Sequence, residues 1–206
     1  MPPTDSSLNI TQTKFLLGTA EREMLTGHHG LVVWMTGLSG AGKSSIAVGL
    51  DHHLNRQRHL SYILDGDNLR SGLCMDLSFS EQDRSENIRR AGEVAKLMAE
   101  AGLIVICALI SPFAMDRKKV RESCDKSAVP FMEVFINAPL EVCEQRDPKK
   151  LYQRARAGSI PGFTGIDSPY EAPVNPEVEL RTDLHSLDDC IRHLAANITK
   201  RTALEG

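Results

Sequence analysis

Short apolar runs alternate along this chain with longer stretches in which apolar residues return every three or four positions. LVVWMT at 31–36 is a continuous apolar run fit for a buried strand. LSYIL at 60–64, LIVICALI at 103–110 and FMEVFI at 131–136 have the same character, and 177–181 is a last strand candidate. Helical spacing is predicted over 44–54, 79–102, about 113–123 and 187–198. The clearest of these is 79–102. Ile88, Ala91, Ala95, Met98 and Ala101 line one stripe, Ser80 with Asp83 resembles a capping box, and Gly102 is a natural stop. Strands alternating with helices predict an α/β fold, a mostly parallel sheet with helices on both faces. Residues 1–29 are polar and irregular, with room for a short helix around Ala20–Leu25. They read as an N-terminal extension to a domain spanning 30–200.

Composition narrows the class. At 206 residues the chain suits one domain, and 41% hydrophobic with 25% charged residues is ordinary for a globular protein. A net charge of −3 gives no general attraction to nucleic acid or an anionic membrane. The longest apolar run is too short to cross a bilayer. The first residues, MPPTDSSLNITQTK, lack the basic segment and apolar core of a secretory signal. Five cysteines, an odd number without a CxxC pair, predict reduced thiols and a cytoplasmic setting.

The strongest chemical signal lies between the first strand and the following helix. Gly37-Leu38-Ser39-Gly40-Ala41-Gly42-Lys43-Ser44 fits the pattern GxxxxGK[ST]. Bare glycine backbone lets successive N–H groups face phosphate oxygens, and the next helix offers its positive end. Lys43 can reach the β- and γ-phosphates, and the Ser44 hydroxyl can ligate Mg²⁺. The turn therefore predicts a nucleoside triphosphate, with Mg²⁺ beside its phosphates.

Other candidates are less specific by themselves. DGDNLR (Asp65–Arg70) starts where the second strand ends, the edge at which parallel sheets bind ligands. Asp65 there could hold the metal's water shell or orient a hydroxyl; a tight Asp-Gly turn is the plainer reading. Arg84 and Asn87 share a helix face that could point at the cleft or at solvent. Ser111-Pro112 ends the third strand, and Ser111 could equally be a helix cap. Arg146, Lys149, Lys150, Arg154 and Arg156 form either a solvated face or a basic lid over about 146–170. Phe79 and Phe163 stand beside turns; loop packing explains them without a ligand.

Taken together, GLSGAGKSS, DGDNLR, FSEQDRSENIRR, ISP, RDPKKLYQRAR and FTGIDSPYEAP resemble the adenylylsulfate kinases in order and spacing, over roughly residues 15–198. The phosphate turn alone specifies only the broad P-loop class; DGDNLR, DRSENIRR and FTGIDSPYEAP are more specific. The resemblance implies a P-loop kinase fold and phosphate transfer from ATP to the 3′-hydroxyl of adenosine 5′-phosphosulfate, in sulfate assimilation. It implies ATP phosphates on Gly37 to Ser44, and Lys43 and Asp65 as catalytic groups, with Asp65 beside the metal or the hydroxyl. Asp67, Asn68, Arg70, Arg84 and Asn87 would hold the acceptor's ribose and phosphosulfate. Phe79 and Phe163 would sandwich its adenine, and Ile110, Ser111, Lys149 and Thr164 would complete the pocket. Ser111 matches a position described in the family as a phosphoserine intermediate, which the resemblance adds to Lys43 and Asp65 as a third catalytic candidate. A homodimer is also implied. The chain departs from the common pattern at Cys74, Ser78, Pro161 and Lys150, where the family often has glycine at the last. None of these changes removes a phosphate or metal group. Another small-molecule or nucleotide kinase on the same fold is the nearest alternative. A guanine-nucleotide switch is disfavoured because no NKxD-like segment occurs.

Overall fold

A computed structural model of the chain describes residues 16–204. Five strands form one sheet: β1 (Leu31–Thr36), β2 (Ser61–Asp65), β3 (Ile104–Ala108), β4 (Phe131–Asn137) and β5 (Val178–Arg181). Their order is β2-β3-β1-β4-β5, and every neighbouring pair is parallel. The helices are α1 (Thr19–Thr26), α2 (Lys43–Arg56), α3 (Gly66–Arg70), α4 (Glu81–Glu100), α5 (Ala114–Lys126), α6 (Leu140–Arg146), α7 (Leu151–Arg156) and α8 (Leu187–Thr202).

The pleat of β1 sorts its side chains between two cores. Leu31, Val33 and Met35 face one side, with Ile46, Leu50 and Leu54 of α2 and Leu194 and Ile198 of α8. Val32 and Trp34 face the other, with Ile88, Ala91 and Ala95 of α4 and Val120 and Cys124 of α5. Every residue of β1 is buried. This is why its run is continuous rather than alternating: both faces of a parallel sheet are covered.

Several predicted boundaries move. The third apolar run extends to Ile110, but the strand ends at Ala108, because Leu109 and Ile110 turn across the end of β1. There the Thr36 hydroxyl donates to the Ile110 carbonyl at 2.7 Å. The long helix begins at Glu81, capped by Ser80, whose hydroxyl accepts from the Asp83 amide. Phe79 is thereby left outside it. Residues 66–70 are a short helix rather than a turn. Asp65 caps it by accepting the Asp67 amide at 3.0 Å, a local bond that stabilises helix starts. α6 is absent from the sequence reading altogether.

The N-terminal segment is partly described. Residues 1–15 of the expected extension lie outside the described residues; residues 19–26 form α1. Glu23 fastens it to the domain by accepting from His29 Nδ1 at 2.8 Å and from the Gly30 amide at 3.1 Å. All five cysteines are free and buried. No helix among the described residues is long and apolar enough to cross a membrane.

Candidate active site

The site forms where the central strand β1 ends, beside the point at which the chain's path through the sheet switches sides. Crevices for ligands open at such points. The turn from Gly37 to Gly42 leaves β1 and leads directly into α2. Its glycines are required by conformation. Gly37 has φ +154° and Gly42 φ +105°, and a Cβ on Gly37 would collide with the Ile136 carbonyl oxygen. The amides of Gly42, Lys43, Ser44 and Ser45 find no acceptor among the described residues. Four free N–H groups at the start of a 14-residue helix constitute an anion cradle.

Lys43 lies across this cradle. It is buried, with Nζ donating to the Gly37 carbonyl at 2.9 Å and the Leu38 carbonyl at 2.8 Å. Burial pulls its ammonium pKa down from the usual lysine value to about 8, a fall that the nearby Asp65 carboxylate partly opposes. Ser44 Oγ donates to Asp65 Oδ2 at 2.7 Å. That bond joins the start of α2 to the end of β2 and places two hard oxygen donors together at the edge of the cradle. Such donors suit Mg²⁺, which takes few protein ligands and keeps phosphate and water for the rest. Among the described residues there is no group of three or more His, Cys, Asp or Glu able to hold a metal alone.

The acceptor candidates are gathered by side chains from distant segments. Lys149, at the base of the basic segment, forms an ion pair with Asp67 of α3. Arg70 lies 4.3 Å over the Phe79 ring and donates to the Ser78 carbonyl at 2.9 Å. Arg84 donates through Nε to the Phe79 carbonyl at 2.9 Å and through Nη1 to Thr164 Oγ1 at 2.9 Å; Nη2 bonds the Gly162 carbonyl. One arginine thus ties the start of α4 to the loop after α7. Asn87, one turn further along α4, is buried, and its Oδ1 has no hydrogen-bond partner among the described residues. Asn68 lies on α3.

The two aromatic candidates differ sharply. Phe79 is 67% exposed, whereas Phe163 is 9% exposed and meets Tyr152 edge-on, with ring centroids 5.0 Å apart. Much of the Phe163 ring serves the core, as ordinary loop packing predicts. Thr164 is buried, bridged to Ser168. Ser111 is 1% exposed. Its Oγ accepts from the Trp34 indole at 3.2 Å, and its carbonyl accepts from Arg117 Nη1 at 2.8 Å. Its φ of +39° is unusual for serine. Among the described residues its recorded bonds include none to Lys43 or Asp65.

Sequence reasoning missed the supports of the phosphate turn. The Tyr152 hydroxyl donates to the Ser39 carbonyl at 2.9 Å, and burial pushes its pKa up. Thr182 Oγ1 donates to the Ala41 carbonyl at 2.8 Å. Arg146 Nη1 donates to Thr182 Oγ1 at 3.0 Å. Arg146 was visible only as one charge in a basic run, and Thr182 belongs to no recognisable pattern.

Comparison with known proteins agrees with this geometry. The family described as Adenylylsulphate kinase matches residues 29–181. The chain is 56% identical over 181 residues to "Adenylyl-sulfate kinase 3" of Arabidopsis thaliana, spanning 88% of this chain and 86% of the relative. It is 53% identical over 197 residues to "Adenylyl-sulfate kinase" of Marinobacter nauticus, spanning 96% and 98%. Among solved structures, the Mycobacterium tuberculosis APS kinase CysC in complex with AMPPNP and APS superposes with a TM-score of 0.80 at 46% identity, covering 84% of this chain and 98% of that one. By sequence, fold and the architecture of its phosphate turn, the chain belongs to the adenylylsulphate kinase family.

Proposed function

We propose that this protein transfers the γ-phosphate of ATP to the 3′-hydroxyl of adenosine 5′-phosphosulfate, giving 3′-phosphoadenosine 5′-phosphosulfate and ADP, and so serves sulfate assimilation. The observation that carries the reading is the pairing of a backbone phosphate cradle with an arginine-rich wall across the same cleft. The M. tuberculosis relative was solved with AMPPNP and APS, one nucleotide of each kind.

The residues divide the work. The amides of Gly42, Lys43 and Ser44 hold the donor's phosphates, with Gly37, Leu38, Ser39, Gly40 and Ala41 shaping the turn. Lys43 leaves its two carbonyl partners to meet charge on the moving phosphoryl group. Ser44 and Asp65 would hold Mg²⁺, which supplies neutralisation of phosphate charge. Asp65 would also accept a hydrogen bond from the attacking 3′-hydroxyl, keeping its oxygen in line. Arg70, Arg84 and Lys149 take the phosphosulfate anions, with Asp67 and Asn68 on the ribose side. Asn87 has an unpaired acceptor ready for a donor on the ligand. Phe79 offers an open face for base stacking; Phe163, Thr164 and Ile110 shape the pocket. Ser111 holds the end of β3 in its turn, and transfer needs no phosphoserine.

Residues 30–200 form the kinase domain in this reading, with a lid over about 146–170 and an extension over 1–29. Work in the cytoplasm and a homodimer are part of the proposal. The test is incubation of the purified protein with Mg·ATP and adenosine 5′-phosphosulfate, with the product identified by mass. One phosphoryl group gained, and none gained by a 3′-deoxy acceptor, is expected. Folded protein that yields no such product refutes the reading.

A further inference from the structure

We propose that Thr182 and Arg146 are positioning residues that aim the phosphate turn from behind, although neither need touch a reacting atom. The inference rests on the reading that this turn binds a nucleoside triphosphate. Thr182 follows β5 and is itself fixed, its amide donating to the Asn137 carbonyl of β4 at 3.0 Å. Its hydroxyl donates to the Ala41 carbonyl at 2.8 Å. Arg146, the last residue of α6, grips Thr182 twice: Nη1 to Oγ1 at 3.0 Å and Nη2 to the carbonyl at 2.6 Å. The same Nη1 approaches the Gly40 carbonyl at 3.4 Å.

The consequence follows from the peptide plane. The Ala41 carbonyl and the Gly42 N–H belong to one rigid unit and point in opposite directions. Holding the carbonyl outward on Thr182 therefore turns the Gly42 amide inward, toward the cradle. Gly42 needs such a restraint more than most residues. It has no Cβ, stands at φ +105°, and could rotate at little cost. Thr182 Cγ2 also packs 3.8 Å from the place a Cβ on Gly42 would occupy. Arg146 fixes the Thr182 hydroxyl by donating to it, so that its single proton is free for Ala41. The clamp is thus a chain from α6 through Thr182, just after β5, to the phosphate-facing amide.

A positioning role differs from a contact with the nucleotide base, and the difference is measurable. The probes are Mg·ATP and Mg·tripolyphosphate, each competed against a fluorescent ATP analogue on the full chain. Thr182→Val keeps the side chain's shape and removes the hydroxyl. It is expected to weaken both probes about fivefold to tenfold, the size of one lost hydrogen bond. Thr182→Ser restores the hydroxyl and should bind both within about twofold of the original chain. Acceptor affinity and kcat at saturating ATP should not move. Unchanged binding in Thr182→Val overturns the clamp, as does weakened ATP with tripolyphosphate spared, because the latter marks a base contact. Tripolyphosphate that fails to compete in the original chain also overturns it. If Thr182→Val does not fold, Arg146→Gln decides on the same two probes: both weakened supports the clamp, and neither, or ATP alone, overturns it. An original chain that binds no ATP defeats the donor reading itself, which separates the two failures.

Discussion

The turn proposed to hold the donor and the wall proposed to hold the acceptor meet where Ser44 touches Asp65, yet they are built from different material. The donor side is backbone. It presents peptide N–H groups from one unbroken stretch, Gly42 to Ser45, and its shape is set by glycines at positive φ, of which Gly37 leaves no room for a Cβ. The acceptor side is long side chains from α3, α4 and the segment after α6, and it closes only through contacts such as Arg84 to Thr164 and Lys149 to Asp67. Backbone preorganisation makes the first half rigid before any ligand arrives. The second half has its cations already paired with protein acceptors, so binding there exchanges one set of partners for another. The two halves should therefore fail in different ways.

The largest expected effect belongs to the donor side. Lys43→Ala should lower kcat about a thousandfold while the circular dichroism spectrum is retained, because its buried ammonium is proposed to swing from the Gly37 and Leu38 carbonyls to the transferring group. Turnover near that of the original chain would remove Lys43 from the mechanism. On the acceptor side, Arg70→Ala or Arg84→Ala should cost about 2–3 kcal/mol in kcat/KM for adenosine 5′-phosphosulfate and leave ATP affinity alone. If either arginine variant weakens ATP and spares the acceptor, the division of the cleft is drawn in the wrong place.

The pH profile sharpens the same contrast. Burial lowers Lys43 to about 8, so the free enzyme loses this charge as pH rises through that value. An anion bound by the charged form is then bound less well. kcat/KM for ATP should be flat below pH about 8 and fall above it, approaching about tenfold per pH unit. kcat/KM for the acceptor, measured with ATP saturating, should stay flat further into the alkaline range, since bound phosphates keep Lys43 protonated. Coincident profiles would contradict the separation.

The smallest effects concern residues placed in shape rather than chemistry. Ser111→Ala removes the acceptor of the Trp34 indole and should reduce stability by about 1 kcal/mol with turnover largely kept. A phosphoserine at Ser111 that is chased into product would overturn this. Lys150 stands at φ +54°, a left-handed conformation that favours glycine. Lys150→Gly should leave thermal stability unchanged or raise it by up to about 1 kcal/mol, as read in a melting curve.

The same contrast explains what could be read from the sequence. The donor turn is contiguous, and each residue type in it answers a steric or electrostatic need, so Gly37 to Ser44 and the flanking β1 and α2 were legible. The parallel sheet was legible too, since runs such as 31–36 have no polar face. α3 was not, because Asp-Gly promises a turn, and only the Asp65 cap turns the chain into a helix. The proposed acceptor wall depends on groups 78 to 84 positions apart in the chain, as Arg84 is from the Gly162 carbonyl and the Thr164 and Ser168 hydroxyls. No local spacing encodes that, and only family resemblance pointed to it. Thr182 and Tyr152 were invisible for a further reason: each acts on a backbone carbonyl, which leaves no mark in residue type.

The most direct test of the two-part cleft is a crossed calorimetric titration. A non-hydrolysable ATP analogue and adenosine 5′-phosphosulfate would each be titrated, separately, into the original chain, Lys43→Ala and Arg84→Ala. The account predicts that Lys43→Ala weakens the ATP analogue and spares the acceptor, and that Arg84→Ala does the reverse. Equal weakening of both ligands by either variant would show a single coupled site and contradict it.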